Sequence, residues 1–316
     1  MKKQHSNTRL LCQLSAVAAL VLSGNAMADE AFSADSKWMT GDWGGERTKL
    51  IEQGIDIKAD YVGEMGANLH GGYNDDKTGR YSDQFGLGVA FDLQKLLGWD
   101  NTQAKIQLTN RNGQNISNDR IGDPRAGTLS SSQEVYGRGH MVRLTQLWVQ
   151  HQFLDGKLDV KAGYFGEGED FNTFPCDFQN LAFCGSQVGN WATGIWYNWP
   201  VSQAALRIKY NITPELYAQI GAYNQNPSQL EHGNGFKLSG SGTKGTVLPV
   251  ELVWSPKLNS LPGEYRVGYY KSTADANDVR KDVNGQDAAN TGDAYRVHNS
   301  KPVSYTHLTL PTKRIV

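Results

Sequence analysis

"KIQLTNRNG", residues Lys105 to Gly113, is the stretch on which the fold turns. Ile106 and Leu108 alternate with Lys105, Gln107, Thr109 and Arg111, the period of a strand with one apolar and one wet face. A water-soluble protein hides the apolar face and shows Lys and Arg to solvent. A membrane barrel does the reverse, turning Ile and Leu to lipid and pointing Arg111 into a channel.

The start of the chain bears on that choice. Lys2, Lys3 and Arg9 precede the apolar "LLCQLSAVAALVLS", and "NAMA" comes just before Asp29. Residues 1–28 therefore read as a secretory signal peptide cleaved after Ala28, with Cys12 as apolar filler inside it. Beyond it no apolar run approaches the roughly 20 residues of a spanning helix, so any insertion into a bilayer must use strands.

The 316 residues include 35 glycines, 14 tyrosines and 8 tryptophans, with a net charge of -1. Mean hydropathy is -0.53. Near-neutral charge without a basic run excludes a nucleic-acid partner. Only Cys176 and Cys184 remain after cleavage, so the fold is not built on disulfides, although one clip is expected. This composition fits a secreted all-β domain and an outer-membrane barrel equally well.

Connection lengths separate them. Period-two reading gives about nine strands. They are "GIDIKADYVGEM", "QFGLGVAFDL", the opening stretch, "QLWVQHQF", "LDVKAGYF", "ALRIKY", "LYAQIGAY", "LPVELVW" and "EYRVGYY". Asp155-Gly156 between two of them is a hairpin signal. Long polar loops (66–83, 112–140, 166–190 and the stretch after Tyr223) alternate with shorter turns such as "LDGK" and "NITPE". A long end and a short end kept in step is the habit of an antiparallel up-and-down outer-membrane β-barrel. A Greek-key sandwich has no reason to keep it. Burying Lys58, Arg111, Lys161, Arg207, Lys209 and Glu251 in a closed soluble core would cost several kcal/mol per unpaired ion. Around a wet lumen they cost little. A secreted carbohydrate-binding β-sandwich stays open as the alternative.

"WMTGDWGGERTKLIEQGIDIKADYVGE" resembles the opening of the OprB family of carbohydrate-selective porins from Gram-negative outer membranes. "LTQLWVQHQFLDGKLDVKAGYF", "CDFQNLAFCG", "LYAQIGAYNQNP" and "LPVELVWSPKLNSLPGEYRVGYY" resemble the same family, in order, from Trp38 to Lys271. The resemblance implies a sixteen-stranded barrel in the outer membrane that passes glucose and other mono- and small oligosaccharides, without cofactor, metal or catalysis. It allows a monomer or a homotrimer. Domain organisation follows: 1–28 signal peptide, 29–53 periplasmic segment with a short helix in "GGERTKLIEQG", 54–302 a partial barrel. "VSYTHLTLPTKRIV" (303–316) fits no strand of the family and reads as a non-native tail. A chain ending in Ile315-Val316 is not expected to close a barrel by itself.

A sugar pore asks for hydroxyl partners and aromatic faces. Each exchange of water for a protein hydrogen bond is worth about 0.5–1.5 kcal/mol, and rings cover the apolar C–H faces. Binding must stay weak for conduction. Arg111, at the long-loop end of its strand, and Lys161 are candidate pore-lining residues. Trp199 in "WYNWPVS" is either another or a girdle residue at the lipid boundary. Glu134 is a candidate carboxylate folded inward near Arg138. In porins the third long loop commonly narrows the lumen, and here it is "GEGEDFNTFPCDFQNLAFCGSQ". Its Phe171, Phe174, Phe178 and Phe183 are expected against an inner wall. A Cys176–Cys184 bridge would hold its shape with about 2–3 kcal/mol, and Asp170 is the acid expected to face the passage. The adjacent acids of "GEGED" lack the spacing of a glycosidase pair. The seven histidines lack ligand spacing, and "GLGVAFD" has no helix after it to make a phosphate loop.

Overall fold

The structure, a computed structural model, describes residues 31–309 apart from 35, 125–129, 175, 177, 186, 192 and 193. The expected signal peptide and residues 310–316 lie outside the described residues. The chain divides into two units, 1–56 and 57–316.

In the N-terminal unit, Gly44 and Gly45 take left-handed φ of 68° and 92° and lead into helix α1, Glu46–Glu52. Asp42 Oδ1 accepts the backbone N–H of Thr48 (2.9 Å) and its hydroxyl (2.8 Å), so the turn closes on itself. The Arg47 guanidinium is held over the rings of Trp38 and Trp43, at 4.5 and 5.0 Å from their centroids.

The second unit is built on one ten-stranded antiparallel sheet in which every strand pairs with its sequence neighbours. We label them β1 (Ile55–Asn68), β2 (Thr78–Asp92), β3 (Thr102–Gly113), β4 (Met141–Phe153) and β5 (Leu158–Phe165). Then follow β6 (Gln203–Thr213), β7 (Leu216–Gln225), β8 (Gly245–Trp254), β9 (Glu264–Ser272) and β10 (Lys301–Thr309). A next-neighbour meander has no Greek-key crossing, so the sandwich alternative is not what forms. β1 and β10 are its two edges among the described residues. The nine expected strands are β1–β9. The tenth falls partly in the segment read as a tail: Lys301–Thr309 pairs with β9 in continuous register, from Ser272 opposite Lys301 to Glu264 opposite Thr309.

Asp155 and Gly156 both take positive φ in the β4–β5 turn, at 53° and 82°, the backbone that fits the right-handed twist of a two-residue hairpin. The short turns lie at one end with helix α2 (Leu93–Leu97), whose first N–H groups are capped by Asp92. The long connections 114–140, 166–202, 226–244 and 273–300 gather at the other end. The first loop, 69–77, is shorter than expected because β1 and β2 run further than their apolar alternation.

The two faces are inverted relative to a soluble sheet. Ile106, Leu147, Val149, Leu206, Ile208, Ile220, Val250, Leu252 and Val267 point outward and are exposed, Ile220 at 52%. Thr109, Arg111, Arg143, Gln146, Asp159, Lys161, Arg207, Gln219, Glu251 and Arg266 point inward and are buried. Exposed apolar side chains running across neighbouring strands from β3 to β9 are the pattern of a sheet face set against lipid.

β5 is short because the chain leaves the wall at Phe165 and turns inward. That exposes the upper edge of β4, which residues from two other loops fill. Leu144 donates its N–H to Gly235 O (2.8 Å), and the Ser202 hydroxyl donates to Leu144 O (2.6 Å). A Cβ at Gly235 would sit 2.2 Å from Val142 O, so only glycine lets the backbones come this close.

Candidate functional site

Two of the long connections fold back against the inner wall. In 114–140 the anchor is Gln133, fully buried. Its amide donates to Ser82 Oγ (3.0 Å) and Gln114 O (3.1 Å), while its oxygen accepts the N–H of Ile116 (2.9 Å). Glu64 on β1 accepts the N–H of Val135 at 3.0 Å. These bonds carry Glu134 inward to Arg111 rather than to Arg138; the closest carboxylate–guanidinium approach is 4.0 Å.

Arg111 sits opposite Gln84 in the β2–β3 register and donates Nε–H to its Oε1 at 2.8 Å. Trp199 Nε1 donates to the same oxygen at 2.9 Å. Trp199 is therefore a lumen residue and not part of a lipid girdle. Arg111, Glu134, Arg138, Glu169 and Trp199 line one open cavity of about 480 Å³. Burial pushes the carboxyls of Glu134 and Glu169 up from the usual range, against the opposing pull of Arg111 on the first and Lys161 on the second.

The loop after β5 is tied down more firmly. Lys161 and Arg207 stand directly opposite each other on β5 and β6, a repulsive pairing when left alone. Glu169 and Asp170 of the loop come between them. Lys161 Nζ reaches Glu169 at 3.0 Å and Asp170 at 3.1 Å, and Arg207 pairs with Asp159 and lies 3.6 Å from Asp170. Further along, Glu251 accepts four donors: Gln219 Nε2 (2.9 Å), Arg266 (2.9 Å), Asn172 N–H (2.8 Å) and the Tyr305 hydroxyl (3.1 Å). Wall and loop neutralise each other.

This geometry redistributes the expected roles. Lys161 and Asp170 clamp the loop, and Glu169, absent from the expected set, lines the cavity in Asp170's place. Among the phenylalanines Phe171 is buried with Phe165, Trp196, Tyr223 and Tyr270, and Phe174 stacks on His307 at 4.5 Å. Phe178 and Phe183 are 67% and 61% exposed and cover only each other's edges, contrary to the expectation of an inner-wall contact. They fall inside or beside the ring closed by the Cys176–Cys184 disulfide, which turns this part of the loop back on itself. Glu134 and the two sulfurs lie within 4.8 Å of one another, but the sulfurs are joined and offer no thiolate to a metal.

An antiparallel meander with an apolar outside and charged, loop-narrowed inside is the architecture of an outer-membrane porin. The profile of the carbohydrate-selective porin, OprB family, matches residues 76–308, and the chain belongs to that family. It is 65% identical over 302 residues to "Porin B" of Pseudomonas aeruginosa, covering 95% of this chain and 66% of that protein. It is 43% identical over 296 residues to "Putative porin QuiX" of Acinetobacter baylyi, covering 92% and 65%. Among solved structures it is similar to "High pH structure of Pseudomonas putida OprB", with a TM-score of 0.85 and 67% identity over 88% of this chain and 66% of that one. The chain thus spans just under two thirds of the length of these relatives. The location that goes with the family is the Gram-negative outer membrane.

Proposed function

We propose that the protein works as a passive channel for neutral sugars, with the cavity beside Arg111 as the narrow passage where a sugar exchanges its hydration for protein contacts. The observation that carries this is the mixture of groups around that one cavity. Arg111 and Arg138 offer donors, Glu134 and Glu169 offer acceptors, and Trp199 offers a ring. Sugar hydroxyls act both as donors and acceptors, and a pyranose face is apolar, so such a lining suits a monosaccharide. Family membership supports the same reading, and the exposed apolar belt supports lipid contact. Diffusion through a pore needs no nucleophile, base, cofactor or metal. The test is reconstitution: proteoliposomes should swell in iso-osmotic glucose far faster than protein-free liposomes, and the protein should fractionate with detergent-extracted outer membrane. Swelling at the protein-free rate would defeat the proposal.

A further inference from the structure

Below the Arg111 cavity the inner wall changes character towards the short-turn end. On β2 the inward positions are Gly86, Gly88 and Ala90; the Asp60 carboxylate fills the space beside Gly86 and the Gln107 amide the space beside Gly88, so polar groups of β1 and β3 cover this part of the wall. On β3 the inward positions descend from Arg111 through Gln107 and Lys105 to Gln103, and on β4 they end in Gln150 and Gln152. Successive inward positions on a strand are about 6.6–6.8 Å apart, on the scale of one sugar ring. The path ends in a polar cavity of about 180 Å³ lined by Asp92, Asn101, Gln103, Gln150 and Gln152.

Two acids near this cavity are already engaged, and Lys105 stands one inward position above Gln103. Asp92 accepts the N–H groups of Gln94 (3.1 Å) and Lys95 (3.2 Å), capping α2. Asp159, beside the cavity, pairs with Arg207 and accepts the Gln150 amide at 2.7 Å. That bond fixes the orientation of the Gln150 amide and leaves its carbonyl oxygen to accept. Gln103, exposed on the wall opposite Gln150, can do both. An amide row whose nearest acids already accept protein hydrogen bonds matches the rim of an uncharged polyol, because each hydroxyl also gives and takes one hydrogen bond.

We propose that this cavity is a second, periplasmic sugar subsite that holds a neutral monosaccharide before release, reached from the constriction down the polar inward positions of β3 and β4. The proposal rests on the channel reading above. Two successive weak sites allow fast transit where one tight site would stop it.

The test is glucose-induced current noise in planar bilayers, with glucose added to one side at a time. Gln103→Ala should slow the association rate for periplasmic addition about two- to tenfold, the value of one or two lost hydrogen bonds. The effect on extracellular addition should be distinctly smaller. Gln150→Leu, which removes the oriented carbonyl, should reproduce this asymmetry. Equal effects from both sides, or none, in both variants would overturn the subsite. A wild-type channel that glucose does not modulate and that passes no glucose would instead overturn the channel reading, so the two failures are distinguishable.

Discussion

Two charge clusters face the same lumen and differ in tightness. Around Lys161 the contacts are close: two half-buried acids at 3.0 and 3.1 Å, and a third, buried acid engaged by Arg207. Around Arg111 the paired acid stands at 4.0 Å, and the other partners are the amide oxygen of Gln84, the backbone carbonyl of Glu134 at 3.5 Å and an open cavity. Residue types are shared, roles are not. A cation whose hydrogen bonds are all taken by protein is part of the scaffold, and one whose partners are few and distant has capacity left for a solute.

Breaking the tight cluster should produce the larger effect. Lys161→Met leaves the half-buried Glu169 and Asp170 with reduced pairing, which should weaken loop anchorage by about 3 kcal/mol. Single-channel conductance should rise and cleavage within 166–172 by added protease should appear. An unchanged conductance would show that the clamp does not hold the constriction.

Another acid sharpens the comparison because no cation pairs with it among the described residues. Glu167, fully buried at the root of the loop, accepts the Tyr197 N–H at 3.1 Å, and burial raises its pKa to about 8. A raised carboxyl favours the folded loop fully below its ordinary value near 4.5 and loses that contribution as pH rises through about 8. Between those limits the loss is about 1.4 kcal/mol per pH unit. Hydrogen exchange of the 166–172 amides, corrected for intrinsic rates, should speed up from pH 6 to 8, and Glu167→Gln should flatten the dependence. A wild-type profile as flat as the variant's would reject it.

The smallest energetic effect, and the most specific, belongs to the loose cluster. Arg111→Ala should weaken glucose block about three- to tenfold, near 1 kcal/mol, while costing less stability than Lys161→Met. A sugar response equal to wild type would return Arg111 to the wall.

The first nine strands were legible in the sequence because a wall that is apolar outside and polar inside writes period two into them, whereas Lys301–Thr309 lacks that alternation, with Ser304 and Thr306 on its exposed positions. Arg111, Glu134 and Trp199, candidates by their polar or aromatic type beside long loops, come together around one cavity. What escaped was the depth of the loops. Gln133 carries no charge or motif, and its role comes from being fully buried among backbone groups of three segments. Glu169 and Asp170 are adjacent acids, and that both are bound to the wall follows only from Lys161 and Arg207 standing opposite each other on neighbouring strands. Trp196, Tyr223 and Tyr270 form an apolar cluster that period-two reading of single strands does not reveal. The inward loop supplies their apolar cover, and that contact is set by residues far apart in the chain.

Gly235 shows how far such dependence reaches. When the chain quits the wall after Phe165 to narrow the channel, a stretch belonging to another loop becomes the local wall, and its fit rests on one missing methyl group. The inward loop and the patch that closes the β4 edge are thus mechanically linked. An epitope or purification tag grafted into residues 233–238 would displace the one backbone that fits there, however harmless that surface loop looks.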